Sequence, residues 1–262
     1  MHFQEPPLEG RFLRRYKRFF ADVELPDGSV VTAHCPNTGS LAGCLVEGSP
    51  VWLRDSHDTA RKLRFTFQAI RVGPTWVNVD TSLPNRVVRT AFETRRVPGF
   101  EKYARVRSEV KYGTNSRIDV LLEDDHLPPC YVEVKNTTLA DGECSMFPDA
   151  VTSRGLKHLG ELCEVVRGGG RALQLFFVSR ADVRMFRPAD AIDPEYAVAL
   201  RAAAIAGVEV RAFTAQVNAL VLELGTELPV DLCAPPAPTG SVDEKSARAT
   251  GRSRAAGRKR RP

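Results

Sequence analysis

Arg117-Ile118-Asp119-Val120-Leu121-Leu122 and Tyr131-Val132-Glu133-Val134-Lys135, joined by Glu123-Asp124-Asp125-His126-Leu127-Pro128-Pro129-Cys130, form the stretch on which the reading of the chain turns. Two apolar-rich runs around an acidic, proline-containing connection read as paired strands. A register symmetric about His126 sets Asp119 opposite Glu133. Facing residues of a hairpin share a side of the sheet, as do positions two apart on one strand, so Asp119, Glu133 and Lys135 are expected on one face. Carboxylates held that close repel unless a proton or a cation lies between them, and oxygen-only ligation favours Mg2+ or Mn2+. A lysine beside such a pair points to metal-assisted hydrolysis.

Working outward, the 262 residues are 43% hydrophobic, enough for one large domain or two smaller ones. The opening residues lack a signal pattern and no apolar run reaches the length of a membrane helix, so cytoplasmic residence is expected. Six cysteines, at 35, 44, 130, 144, 163 and 233, form no Cys-x-x-Cys pair and have no histidines at finger spacing, which speaks against zinc and against a disulfide framework. The net charge of +5 is concentrated at the C-terminus: residues 243–262 carry eight Lys or Arg and two acids, leaving the rest of the chain near −1. Electrostatic affinity for nucleic acid therefore has to come from local clusters and the tail.

The first part of the chain reads as about five strands, at residues 14–25, 30–35, 50–54, 64–72 and 75–79, with Pro26-Asp27-Gly28 as a turn. An OB-like barrel is the expected solution. Within it, Arg11-Phe12-Leu13-Arg14-Arg15-Tyr16-Lys17-Arg18-Phe19-Phe20 interleaves cations and aromatics, the chemistry of a single-strand groove, with Arg14, Arg15, Tyr16, Lys17 and Arg18 as its candidates. The same pattern also suits an edge strand with charges outward and Phe19 or Phe20 inside. Cys35-Pro36-Asn37-Thr38-Gly39-Ser40 is explained by turn chemistry, or by amides and hydroxyls that cradle an anion.

From Leu83 the period changes. Helices are expected over residues 85–96, capped near Ser82 or Asn85, and over 153–167 and 195–206, with strands at 106–111, 172–178, 208–213 and 219–224. The mixed α/β class follows, divided into a barrel at 1–81, a sheet-and-helix domain at 82–232 and a basic disordered tail at 233–262.

Glu133-Val134-Lys135 alone is weak, since Glu109-Val110-Lys111 repeats it and either suits a solvated strand face. Its weight comes from Asp119 on the partner strand, from the alternating Val132 and Val134, and from Arg154, Lys157 and His158 early in the next helix. His158 fits either a phosphate contact or a packed helix residue.

The order of helix, strand with Asp and strand with Glu-x-Lys resembles the PD-(D/E)xK nuclease core. More specifically, Arg14-Arg15-Tyr16-Lys17-Arg18-Phe19, Cys35-Pro36-Asn37-Thr38-Gly39-Ser40, Glu109-Val110-Lys111-Tyr112-Gly113, Ser116-Arg117-Ile118-Asp119, Tyr131-Val132-Glu133-Val134-Lys135-Asn136, Phe147-Pro148-Asp149-Ala150-Val151-Thr152 and Arg154-Gly155-Leu156-Lys157-His158-Leu159 resemble the sugar fermentation stimulation protein A family. The resemblance implies an N-terminal OB-like domain before a nuclease-like domain, in a DNA-binding protein proposed to cleave DNA or RNA. It makes Asp119 and Glu133 the metal-binding acids and Lys135 the motif lysine, with Glu93 as the helix acid that many such nucleases add, or Glu109 on the following strand as its substitute. Arg117, Arg154, Lys157 and His158 are then phosphate partners, and the barrel recruits single-stranded or frayed substrate. A DNA-binding regulator of sugar metabolism genes that uses the same scaffold without turnover is the alternative.

Deleting residues 240–262 is expected to weaken oligonucleotide affinity at low salt and to flatten the salt dependence of binding, measured by titration at several ionic strengths.

Overall fold

Two consecutive left-handed residues decide the first hairpin. In the computed structural model, which describes residues 1–113 and 116–233, β1 (Leu8–Tyr16) and β2 (Phe20–Glu24) are joined at Lys17 and Arg18, whose φ angles are 48° and 62°. The single strand expected at residues 14–25 is therefore a strand, a tight reversal and a second strand. β3 (Val30–His34), β4 (Pro50–Asp55), β5 (Phe65–Val72) and β6 (Thr75–Asn78) follow in the order β3-β2-β1-β4-β5-β6, and the parallel pair His34↔Thr66 joins β3 to β5. The first five strands thus close into a barrel, filled by Phe12, Val23, Leu53, Phe67 and Ile70. β1 lies between β2 and β4, so it is not an edge strand; Phe12 is its core aromatic, while Phe19 is 46% exposed.

The second half begins with α1 (Pro84–Glu93), shorter than the expected helix and without a side-chain cap. Asp80 Oδ1 accepts the Ser82 amide at 2.9 Å and its hydroxyl at 2.6 Å, so Ser82 is used in the turn before the helix. β7 (Arg105–Tyr112), β8 (Ser116–Glu123), β9 (Cys130–Thr137), β12 (Arg171–Val178), β14 (Glu209–Val217) and β15 (Leu222–Leu228) build a mixed sheet of order β15-β14-β12-β9-β8-β7. β12 runs parallel to both neighbours and the remaining pairs are antiparallel. α1 covers one face with Val132, Val134, Leu175 and Phe177; α2 (Ser153–Arg167) and α3 (Pro194–Ile205) cover the other with Leu121, Phe176 and Val178. The Thr152 hydroxyl caps α2 by accepting the Gly155 amide at 3.1 Å. A small sheet of β10 (Ala140–Asp141), β11 (Cys144–Phe147) and β13 (Met185–Pro188) was not expected, because strands of two to four residues are too short to show a period.

The barrel and the mixed sheet belong to one compact unit, Met1–Leu232. Residues at the very start pack with the second half: the Phe3 amide donates to Leu220 O at 2.8 Å and the Leu222 amide to Met1 O at 3.0 Å. The expected tail beyond Cys233 lies outside the described residues.

One irregularity matters for the site. β7 and β8 pair at Ser108↔Val120 and Val110↔Ile118, but Glu109 and Asp119 between them do not join the ladder. Glu109 has a φ of 55°. Above this level Val106, Val120 and Leu122 pack on the α1 side; below it Val110, Tyr112 and Ile118 pack on the α2 side. Both strands exchange faces together, so Asp119 stands at the exchange point and the simple alternation expected around it does not hold.

A left-handed residue other than glycine is strained, and a β-branched one more so. Glu109→Gly is expected to match or exceed wild-type stability, whereas Glu109→Val loses about 1–2 kcal/mol in urea unfolding.

Candidate active site

The β8–β9 hairpin has the register centred on His126: Val120↔Val132, Leu121↔Tyr131 and Leu122↔Cys130. Its ladder ends at Val120↔Val132, one step before Asp119 and Glu133. Past that point the Asp119 side chain takes over the role of a main-chain acceptor, with Oδ2 accepting the Val134 amide at 2.8 Å. Oδ1 accepts Asn85 Nδ2 at 2.7 Å, from the first turn of α1.

Glu133 and Lys135, two apart on β9, meet α2. Glu133 is 2% exposed. Its Oε1 accepts Lys135 Nζ at 2.6 Å and also bonds His158 Nδ1, while Oε2 is buried with no partner among the described residues. Arg154, one helical turn before His158, donates from Nε to His158 Nε2 at 3.3 Å. That bond places the imidazole proton on Nδ1, where it donates to Glu133. The amide of Gln174 on β12 secures the same segment by donating to Glu133 O at 3.1 Å.

The two acids are driven in opposite directions. Burial and the neighbouring Glu133 charge push the Asp119 carboxyl up to about 7, against the pull of the Val134 amide and Lys135. Burial would raise Glu133 as well, but the hydrogen bonds and charges of His158 and Lys135 outweigh it and hold that carboxyl below its ordinary value. The arrangement is a buried carboxylate with one oxygen supported and one bare, next to an acid that keeps a proton near neutrality.

The remaining candidates separate. Glu109 is exposed on β7, and its charge also raises Asp119. Glu93 is in the last turn of α1, bonded to Arg89 at 2.7 Å, and lies about 12 Å along the helix axis from Asn85. It is thus at the end of α1 remote from Asp119. Lys157 donates to Ser116 Oγ at 3.0 Å, Arg117 is exposed on β8, and Arg154 is taken into the His158 contact. Asn85 is the site residue that the sequence reading missed, having considered it only as a helix cap.

In the barrel, Lys17 and Arg18 are exposed at the reversal, and Arg14 pairs with Asp22 at 2.9 Å while remaining exposed. Tyr16 stacks on Phe20 with centroids 5.4 Å apart. Arg15 has an internal role: its guanidinium donates to Asn37 O at 2.6 Å and Gly39 O at 2.9 Å, holding the loop after β3. That loop does hold an anion, but an internal one. The Ser40 hydroxyl and Leu41 amide both donate at 3.1 Å to Oδ2 of Asp149.

Among the described residues no helix is long and apolar enough to cross a membrane, and no group of three or more His, Cys, Asp or Glu is placed to hold a metal. Any cation here would be held by the Asp119 and Glu133 pair with backbone or solvent oxygens.

Comparison with known proteins agrees with both halves of the architecture. Residues 13–79 match the SfsA N-terminal OB domain, and residues 82–220 match the sugar fermentation stimulation protein RE domain. The chain is 50% identical over 218 residues to a sugar fermentation stimulation protein homolog of Geotalea uraniireducens, covering 83% of this chain and 94% of the relative. It is 49% identical over 230 residues to the homolog of Geobacter sulfurreducens, covering 88% and 98%. A structure of Pyrococcus furiosus SfsA in complex with Ca2+ superposes with a TM-score of 0.79 at 28% identity, covering 88% of this chain and 98% of that one.

The raised Asp119 carboxyl has a consequence for stability. Its folded value of about 7 exceeds the ordinary 3.8, so between these pH values the folded protein keeps a proton that the unfolded chain has released. Stability from this group is present at acid pH and declines as pH rises toward neutrality. In a chelator, melting temperature is expected to fall between pH of about 4 and about 7 in wild type and to fall less in Asp119→Asn.

Proposed function

The chain belongs to the sugar fermentation stimulation protein family, and from that premise we propose that it binds nucleic acid and hydrolyses phosphodiester bonds with Mg2+ or Mn2+ held by Asp119 and Glu133. The observation that carries this reading is Glu133 Oε2, buried without a partner beside the proton-retaining Asp119. A bare carboxylate oxygen next to a second acid suits a hard divalent cation, which would displace the Asp119 proton. The Pyrococcus furiosus SfsA structure is a complex with Ca2+, a divalent ion that as a class favours oxygen ligands, which supports the same reading. The Val134 carbonyl, next to Glu133 in the chain, is proposed as a further ligand.

Such a metal supplies Lewis acidity toward the phosphoryl oxygen and lowers the pKa of bound water. The protein's share is positioning. His158 and Lys135 concentrate their support on Oε1 of Glu133, which keeps Glu133 ionised and leaves Oε2 for the ion. Lys135 Nζ, 2.6 Å from that carboxylate, would orient the attacking water and offset charge that develops on the phosphoryl group. Asn85 fixes the Asp119 carboxylate against the Val134 amide. Exposed Arg117, with Arg154 and Lys157 nearby on α2, supplies phosphate contacts, and Arg14, Lys17 and Arg18 extend them along the barrel to single-stranded or frayed substrate.

Labelled single- and double-stranded DNA and RNA, incubated with Mg2+ or Mn2+, test the reading. Asp119→Ala and Glu133→Ala are each expected to lower cleavage by at least about 100-fold, and Lys135→Ala by a similar factor. If wild type cleaves no substrate faster than the Asp119→Ala, Glu133→Ala double variant, the enzyme reading fails. Persistent binding by that double variant, without turnover in wild type, would identify a non-enzymatic regulator on the same scaffold.

A further inference from the structure

Three of the motif strings noted in the sequence converge away from the two carboxylates. Asn37 from the loop after β3, Asn136 near the end of β9 and Thr138 just beyond it, Phe147 on β11 and Asp149 before α2 line, with Thr81, a cavity of about 50 Å3. It lies where the barrel meets the mixed sheet, and Asn136 directly follows Lys135.

Its walls carry hydrogen-bonding capacity that the fold leaves unused. Asn37 is 7% exposed; its Oδ1 accepts the Gly39 amide at 2.8 Å, and its Nδ2 has no partner among the described residues. Asn136 Oδ1 accepts the Ser179 hydroxyl, which again leaves Nδ2 without a partner among the described residues. Thr138 is 3% exposed, and its bonds to Cys44 and Arg180 both use its carbonyl, so its hydroxyl is also unpaired. Asp149 accepts the Ser40 and Leu41 donors on Oδ2 and none on Oδ1. None of these atoms is sealed from the cavity. Asn37 and Thr138 are buried and Asn136 and Asp149 half-buried, and their free donors and acceptors keep access to the cavity, where an incoming group can pair with them in place of water.

The chemistry of the walls narrows that ligand. Among the described residues no lysine or arginine lines the cavity and Asp149 does, so a phosphate is disfavoured. A nucleobase would lack a stacking surface, because the Phe147 ring already packs against Phe176 and Tyr196 at centroid distances of 5.5 and 5.2 Å. The volume suits a group the size of a few water molecules. A hydroxyl both donates and accepts, so it matches amide donors set beside a carboxylate acceptor.

Building on the nucleic-acid reading proposed above, we infer that this cavity is a sugar-reading subsite. It takes the 2′-hydroxyl of a ribonucleotide together with the adjacent 3′-oxygen, and it makes the protein select RNA over DNA. The 2′-hydroxyl accepts from Asn37 or Asn136 Nδ2 and donates to Asp149 Oδ1 or Thr138 Oγ1; a deoxyribose leaves the same groups unpaired.

Fluorescence anisotropy in EDTA separates binding from cleavage. The same sequence is presented as RNA, DNA and 2′-O-methyl RNA, and RNA is expected to bind about tenfold tighter than either of the others. Asn37→Asp keeps the acceptor for Gly39 but replaces the free donor, and Thr138→Val keeps the shape but removes the hydroxyl. Both are expected to bring the RNA to DNA ratio to within about threefold of one, with thermal melts confirming the fold. Equal wild-type affinity for all three oligonucleotides, or a ratio unchanged in both folded variants, overturns the subsite. Displacement of RNA by millimolar free ribose overturns it too, by assigning the cavity to a free sugar. Failure to bind any oligonucleotide instead removes the nucleic-acid reading itself. If both variants fail to fold, the 2′-O-methyl comparison on wild type still decides.

Discussion

The substitution of a side chain for a strand governs the site. Where β8 and β9 part after Val120↔Val132, the Val134 amide would lose its acceptor, and the Asp119 carboxylate supplies one. A buried amide has to be paired, so the acid is anchored by the backbone of the neighbouring strand as firmly as a ladder residue would be. The same anchoring holds Asp119 close enough to Glu133 for the Glu133 charge to raise the Asp119 carboxyl. The face exchange at Glu109 and Asp119 follows the same logic: the ladder gives up one pair, and an acid is released from the alternation that would otherwise fix its side.

Glu133 is held by an asymmetric environment. Lys135 and His158 both address Oε1, and Arg154 fixes the imidazole from the other nitrogen. A buried carboxylate normally avoids ionisation, yet the donors here outweigh the desolvation and direct the remaining capacity to Oε2. Structure and chemistry are joined at this residue, because the side chains that make its burial tolerable also decide which oxygen is left bare.

The junction between barrel and mixed sheet has a comparable internal counter-charge. Arg15 fastens the carbonyls of the loop after β3, and the loop's outer donors hold Asp149 from the segment before α2. A Cβ on Gly39 would fall 2.7 Å from Asp149 Oδ2, so the glycine there is required for the approach. The basic and aromatic run near the N-terminus therefore divides: Arg15 serves the fold, while Arg14, Lys17 and Arg18 remain exposed.

The local signals in the chain were strong wherever a period could develop. Leu156, Leu159, Leu162 and Val166 mark α2 within its observed bounds, and the symmetric connection about His126 specifies the β8–β9 register before any tertiary contact is known. Turn chemistry, alternation and helical spacing act within a few residues, so a sequence states them directly. What required the folded chain acts between distant segments. The left-handed Glu109 breaks an alternation that the sequence presents as regular; Asn85 looks like a cap and instead reaches Asp119; Asp149, which local pattern gives no role, is the anion held by a loop more than 100 positions away. Sequence alone thus determined which residues are acids on adjacent strands, and the tertiary structure decided which of their oxygens are satisfied, because hydrogen-bond satisfaction depends on partners that only packing brings together.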